Sequence, residues 1–368
     1  DVFKVTGKAK SSIKVRLIGG QNNDTYAIEN GKKVVIYDYK TKKNTLENTG
    51  KATVHFRDDY DLNEYHYKKT AKYSAFMAFP SIGYNPDDGV KLGASLVYQY
   101  QGFKSNPFTS KHSFKGNYYF ATEGFELFYN GIFTKLIGNW NLELDARYTT
   151  PNFSINYFGY GNETQNFDDA MGMDFNRVKI QTFKVVPSFK KKGSFGSELS
   201  ILPSFENIEV EDITNRFINI SPEINPSVFE YKQFAGLGLK YAFENYDSKA
   251  NPGLGITFSF LTEWKTNLQN FDRNFTYLES HLGFSHKLTR NKKLVLATLV
   301  KGKKIFNSNF EFYQGATLGG NYDLRGFRNE RFLGKESFFQ STDLRWNIGK
   351  IKSIIPSMHF GQPPPQKA

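Results

Sequence analysis

The chain has 368 residues, no cysteine, 48 basic against 36 acidic residues, and 36 phenylalanines with 22 tyrosines at a mean hydropathy of −0.53. A water-soluble core favours aliphatic residues, whereas aromatic belts around a polar interior give many aromatics without high hydropathy, so the composition points to a lipid-facing barrel. No run approaches the ~20 apolar residues of a spanning helix, Leu294–Val300 being among the longest apolar stretches, which excludes a helical membrane protein. The net charge of +12 is dispersed among aromatics and short turns such as Lys190–Lys192. That fits basic turns at membrane edges or a cationic lumen, and nucleic-acid binding is not expected.

Residues 1–70 form the first block, polar and Lys-rich, with short alternating runs at 13–18 and 33–39 split by turn residues. No 3.6-residue apolar period appears, so a small β-rich segment is predicted. The start at Asp1, without Met or leader, reads as a mature or trimmed segment, and the lack of cysteine fits export without requiring it. Within this block Gly19-Gly20-Gln21-Asn22-Asn23-Asp24-Thr25-Tyr26 resembles a haemolysin-type calcium-binding repeat, Asn22 tolerating left-handed geometry in place of glycine. Such repeats hold calcium only when stacked, and this one stands alone in the sequence. A Gly/Asn-rich turn between two strands is the simpler reading.

From Lys72 onward, stretches of ten to fourteen residues alternate in character between turn signals, as spanning strands require. Strands are predicted at 72–84, 90–101, 109–121, 124–135, 138–149, 174–186, 194–210, 232–245, 254–265, 275–289, 292–304 and 337–348, with a stub at 355–361. Connections alternate between short and long, the long ones being 150–173, 211–231 and 305–336. The fifth strand shows the pattern best. Trp140, Leu142, Leu144, Ala146 and Tyr148 share one face, and Asn141, Glu143, Asp145, Arg147 and Thr149 share the other. In lipid the charged face must point into a wet lumen. The fold class is therefore all-β, an antiparallel barrel over 71–361. The prolines after Gly361 leave 362–368 as an unstructured tail.

Enzyme signatures are missing: there is no Gly-x-Ser-x-Gly elbow, no phosphate loop and no His-Glu-x-x-His, and the six histidines lack metal-ligand spacing. His281 and His286 lie five apart on one predicted strand and so face opposite sides. Neither catalysis nor a cofactor or metal is expected.

Leu318–Trp346 (LGGNYDLRGFRNERFLGKESFFQSTDLRW) carries the specific signal. It resembles the sixth extracellular loop and following strand of the BamA–TamA family of outer-membrane assembly barrels, the bacterial surface antigen family. The matching residues are Gly319-Gly320, Leu324-Arg325-Gly326-Phe327, Gly334, and Asp343 in the next strand. Three further pieces resemble the family: Pro80–Asn85 with Gly89 and Gly93, Asn156-Tyr157-Phe158-Gly159-Tyr160-Gly161-Asn162, and Asp247 with Asn251-Pro252 and Gly255. Gly326 lets the backbone turn sharply, and Arg325 could then fork onto a wall carboxylate, Asp343 being the best candidate on the following strand. An Arg-Gly turn tip on an exposed loop is the competing reading.

The resemblance implies a sixteen-stranded barrel in the bacterial outer membrane, in contact with lipid bilayer and lipopolysaccharide, that inserts, assembles or translocates client outer-membrane or secreted polypeptides. Two departures stand out. Residues 1–70 are too helix-poor for a periplasmic POTRA module and look more like the β segment of members fused to a metallophosphoesterase-like domain, and the final strands are missing. Two alternatives follow: a non-catalytic barrel anchoring an upstream exported phosphoesterase-like domain, and a passive pore.

Overall fold

The computed structural model describes residues 1–7, 12–64, 73–85, 87–103, 107–321 and 323–346. The predicted stub 355–361, the tail 362–368 and the end of the twelfth predicted strand lie outside these residues.

The first block contains six short strands: β1 (Val2–Val5), β2 (Val15–Ile18), β3 (Thr25–Ile28), β4 (Val34–Asp38), β5 (Thr45–Asn48) and β6 (Thr53–Phe56). They form two parallel three-stranded sheets, β1-β3-β5 and β2-β4-β6, so the chain crosses from one sheet to the other at every strand. Period-two alternation places Phe3, Val5, Tyr26 and Ile28 of one sheet against Leu17, Val34, Ile36, Val54 and Phe56 of the other. The outer face of β4 is also covered, with Val35 and Tyr37 packing on Leu62.

Twelve long antiparallel strands follow. They are β7 (Ala75–Asn85), β8 (Gly89–Tyr100), β9 (Ser110–Tyr119), β10 (Gly124–Ile137), β11 (Trp140–Thr149), β13 (Arg177–Lys192), β14 (Ser197–Val210), β15 (Lys232–Tyr246), β16 (Leu254–Asn267), β17 (Asn274–Lys287), β18 (Leu294–Ile305) and β21 (Glu336–Trp346). Each pairs with its sequence neighbours. The short β12 (Ser154–Asn156) adds to β13, and β19 (Ala316–Leu318) pairs with β20 (Phe332–Gly334) inside the last long loop. All twelve strands predicted up to 348 are present, with boundaries moved by a few residues.

The two faces of this sheet invert the rule for water-soluble proteins. One face leaves large apolar side chains exposed in rows that follow the strand register: Leu92 beside Tyr118, Leu96 beside Phe114, Leu199 beside Tyr241, Ile256 beside Phe284. The other face carries ionised groups in mutual contact. Glu206 accepts from Lys184 and Lys265, each at 2.7 Å, and Glu263 accepts from the Ser204 hydroxyl at 2.7 Å and from Tyr277. On β11, Glu143 pairs with Lys190, Asp145 accepts from Asn130 at 2.7 Å, and Arg147 reaches Glu126 at 2.7 Å. Glu143, Asp145 and Arg147 therefore share the charged face as expected, while Tyr148 lies in a row with Leu127 and Phe183 on the apolar one. His281 and His286 fall on opposite faces by the same parity.

Candidate functional site

The three longest connections share one end of the sheet, together with the short turns that hold Asp87 and Glu123. At this end, 150–176, 211–231 and 305–336 build a shared apolar core on the strand ends, with Tyr157, Ile218, Val228, Phe312 and Leu333 packing on Val178, Ile180, Ile208, Val210 and Phe234. The Tyr157 hydroxyl bonds Ser221 across this core at 3.2 Å, and burial pushes the phenol up to about 12.

Arg328 ties the loops together. Its Nε donates to Asp87 Oδ1 at 2.5 Å, Nη1 to Asp168 Oδ1 at 2.5 Å and Nη2 to Asn156 Oδ1 at 2.7 Å, with the guanidinium 5.3 Å from the Phe158 ring centroid. Asp87 Oδ2 also accepts the Asn329 N–H at 3.0 Å. The rigid fork of arginine, with donors on three different nitrogens, serves three acceptors on three separate segments at once. Arg331 lies over the same ring, 5.1 Å from the Phe158 centroid, and bonds to Thr164 at 2.6 Å. The backbone N–H of Gly161 completes the seam by donating to Leu333 O at 2.7 Å. Three of the segments singled out in the sequence, around Pro80–Gly93, Asn156–Asn162 and Leu318–Trp346, thus converge on one cluster.

Further down, loop 305–336 is stitched to the charged face. Lys301 reaches Asp323 at 3.0 Å, Lys303 donates to the carbonyls of Gln314 and Gly315 at 3.2 and 3.1 Å, and Glu311 accepts from Lys232 and from Arg273 at 3.4 Å. Lys232 is buried and would be costly to leave unpaired, while Lys301 and Lys303 are partly buried, so the loop's acceptors and the wall's cations support each other.

The structure does not bring Arg325 and Asp343 together. Arg325, Gly326 and Phe327 form an exposed turn, Leu324 is partly buried, and among the described residues Arg325 makes no ion pair or hydrogen bond. Asp343 does face the charged side, opposite Ala297, but the lowest anchor found for the loop is Lys301, which pairs in register with Phe339. Four residues of strand, about 13 Å, separate that level from Asp343. The forked arginine expected at 325 is supplied three residues later by Arg328. The sequence signal was the Arg-x-x-Arg-x-x-Arg spacing of 325, 328 and 331; the glycine after Arg325 drew attention to the first of them.

The paired glycines have a steric role. Gly319 (φ 139°) and Gly320 (φ 77°) turn the chain where a Cβ would strike the Arg328 carbonyl and the Asn329 side chain. Gly334 ends β20 in ordinary extended backbone with no such crowding. Glu330, in left-handed geometry (φ 51°), accepts the Asn156 N–H at 3.4 Å. Desolvation pushes its carboxyl up to about 7, with Asp87 and Asp88 adding to the rise.

At the opposite end the first block docks on two turns. Lys135 pairs with Asp59 at 2.5 Å, and Phe103 packs on Tyr37 (4.9 Å) and under Arg16 (4.6 Å). The Gly19–Asp24 stretch is a turn between β2 and β3, as the simpler reading had it. It is nonetheless stacked on the turn below: Asn23 Oδ1 accepts the Lys43 N–H at 3.0 Å and Asn44 Oδ1 accepts the Asp24 N–H at 2.9 Å. Among the described residues no three acidic or histidine side chains converge to hold an ion.

No family model and no curated relative matches the chain. Among solved structures, BamA from Haemophilus ducreyi lacking POTRA domains 1–3 is similar at 16% identity and a TM-score of 0.50, over 71% of this chain and 47% of that one. CdiB from Acinetobacter baumannii (13%, TM-score 0.46, 76% of this chain and 47% of that one) and CdiB from Escherichia coli (9%, 0.49, 77% and 50%) are also similar. The chain spans about half the length of these structures. At such identity the likeness to BamA is one of fold: the long strands build an antiparallel β-barrel architecture of the kind seen there.

Proposed function

We propose that the chain is a BamA–TamA-type barrel of the bacterial outer membrane that helps other polypeptides insert into or cross that membrane. The carrying observation is the combination of an apolar outward face with a charged inward face over which loop 305–336 folds back, held by Arg328 on Asp87, Asp168 and Asn156. A returned loop anchored by ionic contacts to several walls is far more elaborate than an open diffusion channel needs, which favours assembly or translocation over a passive pore. Exposed strand edges can template incoming strands, and such pairing supplies the chemistry for handling unfolded barrel segments. The partners in this reading are bilayer lipid and lipopolysaccharide, and client outer-membrane or secreted polypeptides. The Leu324–Phe327 turn, with Gly319 and Gly320 behind it, is the tip of the loop, and Asp343 is a lumen carboxylate below it.

The test is reconstitution of the full chain into vesicles and addition of a urea-unfolded outer-membrane barrel polypeptide, with folding followed by its heat-dependent gel mobility. Acceleration over empty vesicles and over an unrelated barrel is expected, together with low conductance in planar bilayers. Equal folding rates in all three preparations would refute the assignment.

A further inference from the structure

Charge is segregated between the two ends of the barrel. Residues 150–176 carry Glu163, Asp168, Asp169 and Asp174 with no Lys or Arg, and Asp87, Asp88 and Glu123 lie in turns at that same end. The opposite end is basic: 190–196 carry Lys190, Lys191 and Lys192, and 287–293 carry Lys287, Arg290, Lys292 and Lys293, with no acid in either turn. Lys190 is committed to Glu143 and Lys292 to Asp247. Lys191, Lys192, Arg290 and Lys293 are exposed and make no ion pair among the described residues.

The same turns expose apolar tips. Phe195 is 87% exposed and sits in left-handed backbone (φ 57°), a conformation unfavourable for an aromatic residue that has nothing to pack on. Leu288 in the second basic turn and Leu136-Ile137 at the end of β10, before Trp140, are also exposed. Lys191 lies 5.8 Å from the Trp140 ring centroid, a basic-aromatic pairing at the rim of the apolar outer band. Cations beside apolar tips, at the edge of a lipid-facing surface, suit the boundary between anionic headgroups and acyl chains.

We propose that this turn end is a contact rim for anionic phospholipid headgroups, with Lys191, Lys192, Arg290 and Lys293 meeting the phosphates and Phe195 and Leu288 entering the acyl boundary. The proposal rests on the membrane-barrel reading above. The acidic loop end repels the same headgroups, so the charge pattern favours one orientation across a bilayer. Among the described residues the first block meets the basic end at Phe103 and Lys135, outside the two basic turns.

The test uses the full chain in vesicles of phosphatidylcholine with increasing phosphatidylglycerol, reading the motionally restricted lipid with spin-labelled forms of each. A phosphatidylglycerol preference of about fivefold or more is expected. It should fall toward unity in 1 M salt and in the variant carrying Lys191→Gln, Lys192→Gln, Arg290→Gln and Lys293→Gln. The Lys191→Arg, Lys192→Arg, Lys293→Arg variant should keep it. Equal preference in the native and glutamine proteins, or none in the native protein, overturns the rim. Retention in the glutamine protein with loss on substituting lysines of the first block overturns it equally. A chain that restricts no lipid of either kind refutes the membrane reading itself, a different result from restricting both kinds alike.

Discussion

Replacing Arg328 by alanine removes one guanidinium from three acceptors. The Asp87 and Asp168 side chains, 7% and 17% exposed, are left as buried or nearly buried carboxylates without their cation. Breaking such a pair from one side costs about 3–5 kcal/mol, because the charge left behind keeps its desolvation penalty. Asp87 retains the Asn329 N–H, which keeps the figure inside that range. Spent on loop docking, this is a rise of about 150- to 4000-fold in the opening equilibrium of 312–334. Hydrogen exchange by mass spectrometry on the reconstituted protein reads that quantity directly, with strand amides of β14 to β17 as the internal standard. Arg325→Ala is the matched control: an exposed arginine without a partner among the described residues should change opening by less than about 0.5 kcal/mol. Equal exchange in 312–334 for native protein and Arg328→Ala would show that the apolar core alone holds the loop and refute the clamp.

Glu330 gives the docking a pH dependence. Its carboxyl is raised above the ordinary value in the folded chain, so its contribution is fully present below about pH 4.5 and is lost as pH rises through about 7. Protease resistance of the loop should therefore fall between about pH 4.5 and 7 and level off above, and Glu330→Gln should flatten the profile. Gly319→Ala should loosen the loop by at least 1 kcal/mol, since the new Cβ meets the Arg328 carbonyl in backbone that disfavours side chains; unchanged exchange around 319–331 would contradict this. Phe312→Ala empties a 3%-exposed site in the loop core and should cost about 3–5 kcal/mol of docking, visible as early proteolysis within 305–336.

The long strands were legible because a one-residue slip moves every side chain to the other face, so the alternation along 138–149 or 254–265 admits one register. The three converging segments were legible as well, each from its own glycines and aromatics. Their convergence was not. Asp87 and Arg328 are separated by 240 residues of chain, and nothing in either segment names the other. The choice between Arg325 and Arg328 depends on how deep the loop sits, which is set by Lys301 and Lys303 on a wall the loop's own sequence does not describe. In the first block, period-two alternation looks the same whether strands pair with their sequence neighbours or with the strand after next. The β-rich character could be read there, but the parallel pairing of β1 with β3 and β2 with β4 could not.

That pairing makes the first block modular in height. Thr25 aligns with Thr45 and Val15 with Val34, so roughly every twenty residues the chain completes one storey holding a strand in each sheet. Each storey adds about 4.8 Å, the spacing of neighbouring strands. Removing a whole storey would leave both sheets in register and shorten the block by one step. Removing half of one would send every following strand to the wrong sheet, turning Tyr26-like positions toward partners meant for Ile36. Length variation in this block is thus quantised in units of about twenty residues, much as in longer repeat proteins, where each layer contacts only its neighbours.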